Sequence, residues 1–267
     1  MFSKMFRQEL KRIFRSGNLY IALSAFLICL SASSAQIWFV YSSSEDVSLL
    51  SAMYLCFIPV FFGGTILLVP FCAAISCSQA QADEMTSGNV RFRVLRCGYF
   101  RYSAGKMCAG MLAGFVSLGG AFAIHTLIWH LAAGPYDPVN RPDTVLQLVE
   151  GTVYQYYLQQ PWAYGAYLHA ILGFGITGAL WAAVSLLCAV LMMDAVLAAV
   201  LPVLLYYLWK TNFTVYLFGF SLPDFTGLYN DGVFWPDYWQ ALIAHFLLLV
   251  IVWIAYGIVL KRRIRNA

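Results

Sequence analysis

Apolar runs about as long as a lipid bilayer is thick recur along this chain, and few folds that live in water can bury that many. A spanning helix needs about 20 largely apolar residues. Six segments meet or approach that length: Asn18–Val40, Leu50–Ser76, Gly105–Ala133, Trp162–Met193, Asp194–Lys210 and Trp239–Leu260. The 267 residues are 61% hydrophobic and 10% charged, where soluble domains average roughly 45–50% apolar and about 25% charged. A water-soluble globule of this size cannot hide so much apolar surface, whereas lipid removes the need to. The runs predict an all-α, polytopic membrane protein with six transmembrane helices. The fifth is the shortest, carries Pro202, and is followed by Thr211, Asn212 and a second apolar piece, Phe213–Leu222. That pattern predicts a helix plus a re-entrant or outer-surface segment, tolerated where protein covers its backbone.

The charges set the orientation. Lys4, Arg7, Lys11, Arg12 and Arg15 precede the first span; Arg91, Arg93, Arg96, Arg101 and Lys106 lie between the second and third; Lys261, Arg262, Arg263 and Arg265 close the chain. These are 14 of the 16 basic residues, and six spans put all of them on one side. Only Arg141 and Lys210 fall on the other, with eight of the twelve acids (Glu45, Asp46, Asp137, Asp143, Glu150, Asp224, Asp231 and Asp237). Basic flanks stay cytoplasmic, so both termini are expected inside. The net charge of +4 is too small and too unevenly spread to indicate nucleic-acid binding. None of the seven cysteines falls in an outer loop, so no structural disulfide is implied. Ala32-Ser33-Ser34-Ala35 resembles a signal cleavage site, but the apolar run before it is longer than a signal peptide needs. A retained helix is expected.

The whole chain, residues 1–267, reads as one membrane domain. Within 1–17, Phe2, Phe6, Leu10 and Ile13 recur at helical spacing among basic residues, which predicts an amphipathic interfacial helix along the inner membrane face. Residues 134–161 and 211–238 are expected outside. The first of these loops carries Pro135, Pro138 and Pro142, then Thr144 and Gln147 as a capping box, and predicts a short surface helix ending near Pro161. Small residues at Gly110/Gly114, Gly173/Thr177 and Gly178/Ala182 let helices approach closely. They suit packing within one bundle or a dimer seam.

The informative stretch is Ser76–Lys106. Its basic residues would each cost about 2.5–3.5 kcal/mol at the bilayer centre, so it lies in water. Val90, Phe92, Val94, Leu95 and Phe100 are interleaved with arginines, giving an element with an apolar and a basic side, suited to docking a cytoplasmic partner. Glu84, Gly88, Leu95, Arg101 and Lys106 follow one another in an order and spacing that resemble type-2 ABC transporter permeases. There, a Glu ends the second span, Gly follows four residues later, a coupling helix comes next, and a Lys opens the third span. The departure is Arg96-Cys97-Gly98-Tyr99, where many members have a Pro-containing turn.

The resemblance implies a cytoplasmic coupling helix within loop 77–104, on which separate ABC ATPase subunits dock. It further implies a permease paired with a second copy or a sister permease in a bacterial plasma membrane. Such a permease exports an amphipathic substrate (a peptide, drug or lipid) and is not itself an enzyme. Glu84, Arg91, Arg93, Arg96 and Arg101 are expected to make charged contacts with the ATPase. Residues 100–107 end in Gly105-Lys106-Met107 but lack the leading Gly and the Ser or Thr of a phosphate-binding loop. No cofactor or metal is expected. His125 and His130 stand five apart rather than four, and His169 and His245 lie on other spans. Asp194, between the fourth and fifth spans, reads as a helix cap; inside a membrane it would suggest a proton path. A non-transporting scaffold or immunity protein, binding partners through the same loop, remains an alternative, as does an intramembrane enzyme using the histidines or Asp194.

Overall fold

The computed structural model describes residues 2–42, 52–62, 68–133, 153–159, 164–208 and 235–266. Among the described residues every regular element is helical: α1 (Phe2–Arg15), α2 (Gly17–Ser42), α3 (Ala52–Phe62), α4 (Leu68–Ile75), α5 (Ser78–Thr86), α6 (Asn89–Cys97), α7 (Tyr99–Ala133), α8 (Val153–Leu158), α9 (Gly165–Met192), α10 (Ala195–Leu208) and α11 (Trp235–Asn266). Of these described helices, four are long and apolar enough to cross a membrane: α2, α7, α9 and α11. They are compatible with a membrane location.

The second predicted span, Leu50–Ser76, is described in two pieces, α3 and α4, the first with Pro59 inside it. The fifth is α10, 14 residues with Pro202 inside, or about 21 Å at 1.5 Å per residue. That is less than the roughly 30 Å hydrocarbon core. The third span begins earlier than expected. Helix α7 has 35 residues and starts at Tyr99, so Lys106 sits two turns inside it rather than opening it. At about 52 Å it outreaches a bilayer core by several turns, which leaves room for Arg101 and Lys106 beyond the hydrocarbon.

Helices α7 and α9 form the centre of the bundle. Their contact is built from glycines: a Cβ at Gly114 would overlap the carbonyl of Gly178 and the Ala182 side chain, and one at Gly178 would overlap Gly114. Gly110 meets Leu186, and Gly175 meets the Phe115 ring. Gly110, Gly114, Gly178 and Ala182 thus serve packing within one chain. On one half of the bundle Phe26, Phe57, Phe122 and Phe174 close the core. Phe122 stacks on Phe174 at 4.7 Å.

The predicted N-terminal helix forms, but its apolar stripe faces protein. Met5 and Ile13 are buried, and Phe6 and Leu10 pack with Ile13 against Leu19, Ala109 and Ala113. Met5 fills the notch above Gly105. Asp194 caps α10 as expected: the Leu197 N–H donates to its Oδ1 at 2.8 Å. Helix α8 falls within 134–161, where a short surface helix is expected, but Tyr154 and Leu158 on it are buried in the core. Thr144, Gln147 and the segment Phe213–Leu222 lie outside the described residues.

Candidate functional site

Two glycines shape the loop between α4 and α7. Gly88 (φ 71°) ends α5 and starts α6, and Gly98 (φ 84°) ends α6 and starts α7. Both occupy the left-handed region that costs other residues a steric penalty. Gly98 thus supplies the turn for which the resemblance would have a proline. The segment 77–104 is helical nearly throughout. Val90 and Val94, four apart, turn toward the bundle, with Val90 fully buried.

Behind α6 lies a buried charge cluster. Lys106 Nζ donates to Glu9 Oε2 and to Glu84 Oε1, each at 2.9 Å. Arg93 bridges both carboxylates, lying 3.0 Å from Glu84. Arg12 pairs with Glu84 and donates to the Ala80 carbonyl at 2.9 Å. The Tyr102 hydroxyl donates to the other Glu84 oxygen at 2.6 Å. Glu9, Glu84 and Lys106 are each at most 5% exposed. Burial alone would raise the Glu9 carboxyl; the cations of Lys106, Arg12 and Arg93 outweigh it and hold that carboxyl below its ordinary range. Five charged groups from α1, α5, α6 and α7 therefore form one lock. Next to it, the Tyr256 hydroxyl of α11 reaches Gln81 of α5 at 3.4 Å.

The predicted site residues divide in two. Glu84, Arg93 and Lys106 converge in the lock, so Glu84 and Lys106 are interior groups and not surface contacts. Gly88 is a pivot. Arg91, Leu95, Arg96 and Arg101 stay outside, where Leu95 is 82% exposed and is flanked by Phe92 at 65% and Phe100 at 78%. Between α5, α6 and α1 a cavity of about 740 Å³ opens, lined by Arg12, Asp83, Glu84, Phe92, Arg93 and Arg96.

Sequence reasoning passed over Glu9, Arg12 and Tyr102 as site residues. A signal for Glu9 existed: it is the sole acid before Glu45 and stands four residues from both Met5 and Ile13, the buried edge of α1. The lock is poorly suited to acid–base chemistry, since its carboxylates are already held by three cations. It can fix the pose of α6, and its arginines, with Arg96 beside them, can attract an anionic group to the cavity.

His125 lies 3.2 Å from the Ser31 hydroxyl and 3.4 Å from that of Ser34, and His169 lies 3.4 Å from the Tyr157 hydroxyl. Among the described residues no three His, Cys, Asp or Glu side chains are grouped to hold a metal. The chain matches no known protein family, no curated protein and no solved structure.

Proposed function

We propose that the chain is a six-span membrane protein with both termini in the cytoplasm, and that it is the permease subunit of an ABC exporter. A separate ATPase drives it, and it carries an amphipathic substrate (peptide, drug or lipid) across a bacterial plasma membrane with a second permease copy or a sister permease. In this reading α3 and α4 share the second span, and α10 with the residues after it makes the fifth.

The observation that carries the proposal is the state of α6. A nine-residue helix is pinned from behind by buried ion pairs, yet its tip and the start of α7 expose Phe92, Leu95 and Phe100 beside Arg91, Arg96 and Arg101. Exposed apolar groups rimmed by charge mark docking surfaces, and burying them against another protein would return about 25 cal/mol per Å² of apolar area. Rigid pinning suits a part that must transmit a push. Conformational work done on a floppy loop would be lost in the loop.

The test is affinity purification of the full-length tagged protein from its native membrane in mild detergent. Wild type is expected to bring down a soluble subunit with a phosphate-binding loop, and Leu95→Asp is expected to lose it while eluting unchanged on size exclusion. Capture of that subunit by both proteins, or its absence from the wild-type eluate, would overturn the assignment. Absence together with another specific partner would favour the scaffold reading.

A further inference from the structure

Helix α1 has spent its apolar stripe on α7, and what remains outward is a cationic stripe. Lys4, Arg7, Lys11 and Arg15 are all exposed. At about 100° per residue they fall within an arc of about 80°. Glu9, the only acid among the first 44 residues, points the other way into the lock. The outer face therefore carries four cations and no acid, and none of the four makes an ion pair among the described residues.

The stripe is not purely polar. A groove of about 630 Å³ is lined by Lys4, Arg7, Gln8, Leu10, Lys11 and Phe14, and Phe14 is 42% exposed. Only Ser16 separates α1 from α2. Helix α2 is apolar enough to span, and it exposes Tyr20 and Ile21 in its first turns, at 56% and 58%. The four cations thus sit where the hydrocarbon of a bilayer would give way to headgroups. There, Lys and Arg lay their stems on apolar surface and raise their charges to phosphate level.

We propose that the outer face of α1 binds acidic phospholipid, with the phosphate between Lys4, Arg7 and Lys11 and the upper acyl chain against Leu10 and Phe14. The proposal rests on the membrane reading above but not on transport. A second copy of the chain would bring the same four cations against themselves. A phospholipid matches both the charge and the apolar groove.

The experiment is native mass spectrometry of the full chain in neutral detergent, offered phosphatidylglycerol and phosphatidylcholine in competition. Wild type should retain phosphatidylglycerol preferentially, and K4Q/R7Q/K11Q/R15Q should lose that preference by about fivefold per charge removed. R262Q/R265Q, altered at the exposed C-terminal cations instead, should keep it. Should the quadruple variant misfold, K4Q/R7Q and K11Q/R15Q are each expected to lose about half of the preference on a logarithmic scale. Equal retention of the two lipids by wild type, or equal loss from the C-terminal variant, would overturn the proposal. So would displacement by glycerol phosphate as efficient as by phosphatidylglycerol, which would mark a site for free phosphate. An acidic soluble protein that occupies these four residues in place of lipid would likewise count against it. A chain that stays in the aqueous phase after carbonate washing would sink the membrane reading itself, a distinct result.

Discussion

Glu9 shows why single residues in this chain have to be judged by what surrounds them. By position it belongs to a basic amphipathic helix and looks like a stray acid. In the fold it is buried between Lys106, Arg12 and Arg93 and accepts from Lys106 at 2.9 Å. Breaking a buried ion pair from one side leaves uncompensated charge at a cost of about 3–5 kcal/mol, whereas replacing both partners with apolar groups is often neutral. Glu9→Leu leaves three cations facing Glu84 alone, and Glu9→Leu with Lys106→Met restores the balance between Glu84 and the two arginines. Thermal unfolding in detergent should therefore show a large drop for E9L and a substantial recovery in E9L/K106M. Additive losses would mean that the two groups are not coupled. Glu84 and Lys106 stood out in the sequence as motif positions, not as partners of each other; their contact, like that of Glu9, comes from helices that only tertiary packing brings together. The Asp194 cap was legible because it needs only its own helix.

Elements were legible to the extent that local pattern determines them. The long apolar runs mark α2, α7, α9 and α11, because about 20 apolar residues have few alternatives. Helix α7 begins ahead of its apolar run: Arg101 and Lys106 argue against membrane, but they do not argue against helix. Alternation of apolar and basic residues over Val90–Leu95 suggests two sides but not the helical period by which Val90 and Val94 turn inward. The spacing of small residues is informative at the crossing of α7 and α9. There Gly114 and Gly178 touch through their backbones, so any larger side chain must push the helices apart. Gly114→Leu should cost about 1–3 kcal/mol or more, as overpacking does, and should lower the unfolding midpoint. Leu112, on the exposed side of the same helix, is the control: Leu112→Ala should leave the midpoint nearly unchanged. Equal effects from the two positions would refute the glycine contact.

For the molecule as a whole, the six proposed spans would divide the charge unevenly, one side basic and the other acidic. Which solvent each side meets is a property of the membrane and not of the chain's internal contacts. Cys97 provides the check, because it stands partly exposed at the end of α6; burial pushes its thiol up, so labelling is best done at mildly alkaline pH. In a chain with its other cysteines replaced by serine, a membrane-impermeant thiol reagent should miss Cys97 in intact cells and label it in inverted vesicles. The reverse pattern would invert the whole topology. The shape of α7 bears on what such a topology would transmit. It is a single stiff rod of 35 residues, gripped near its middle by the glycine crossing with α9 and fastened at its first turns to α6 by the ion-pair lock. On the permease reading such a rod would serve as a lever: a sideways force on α6 at one end would swing the far end, around Trp129, in the opposite sense, with the glycine contact as the fulcrum.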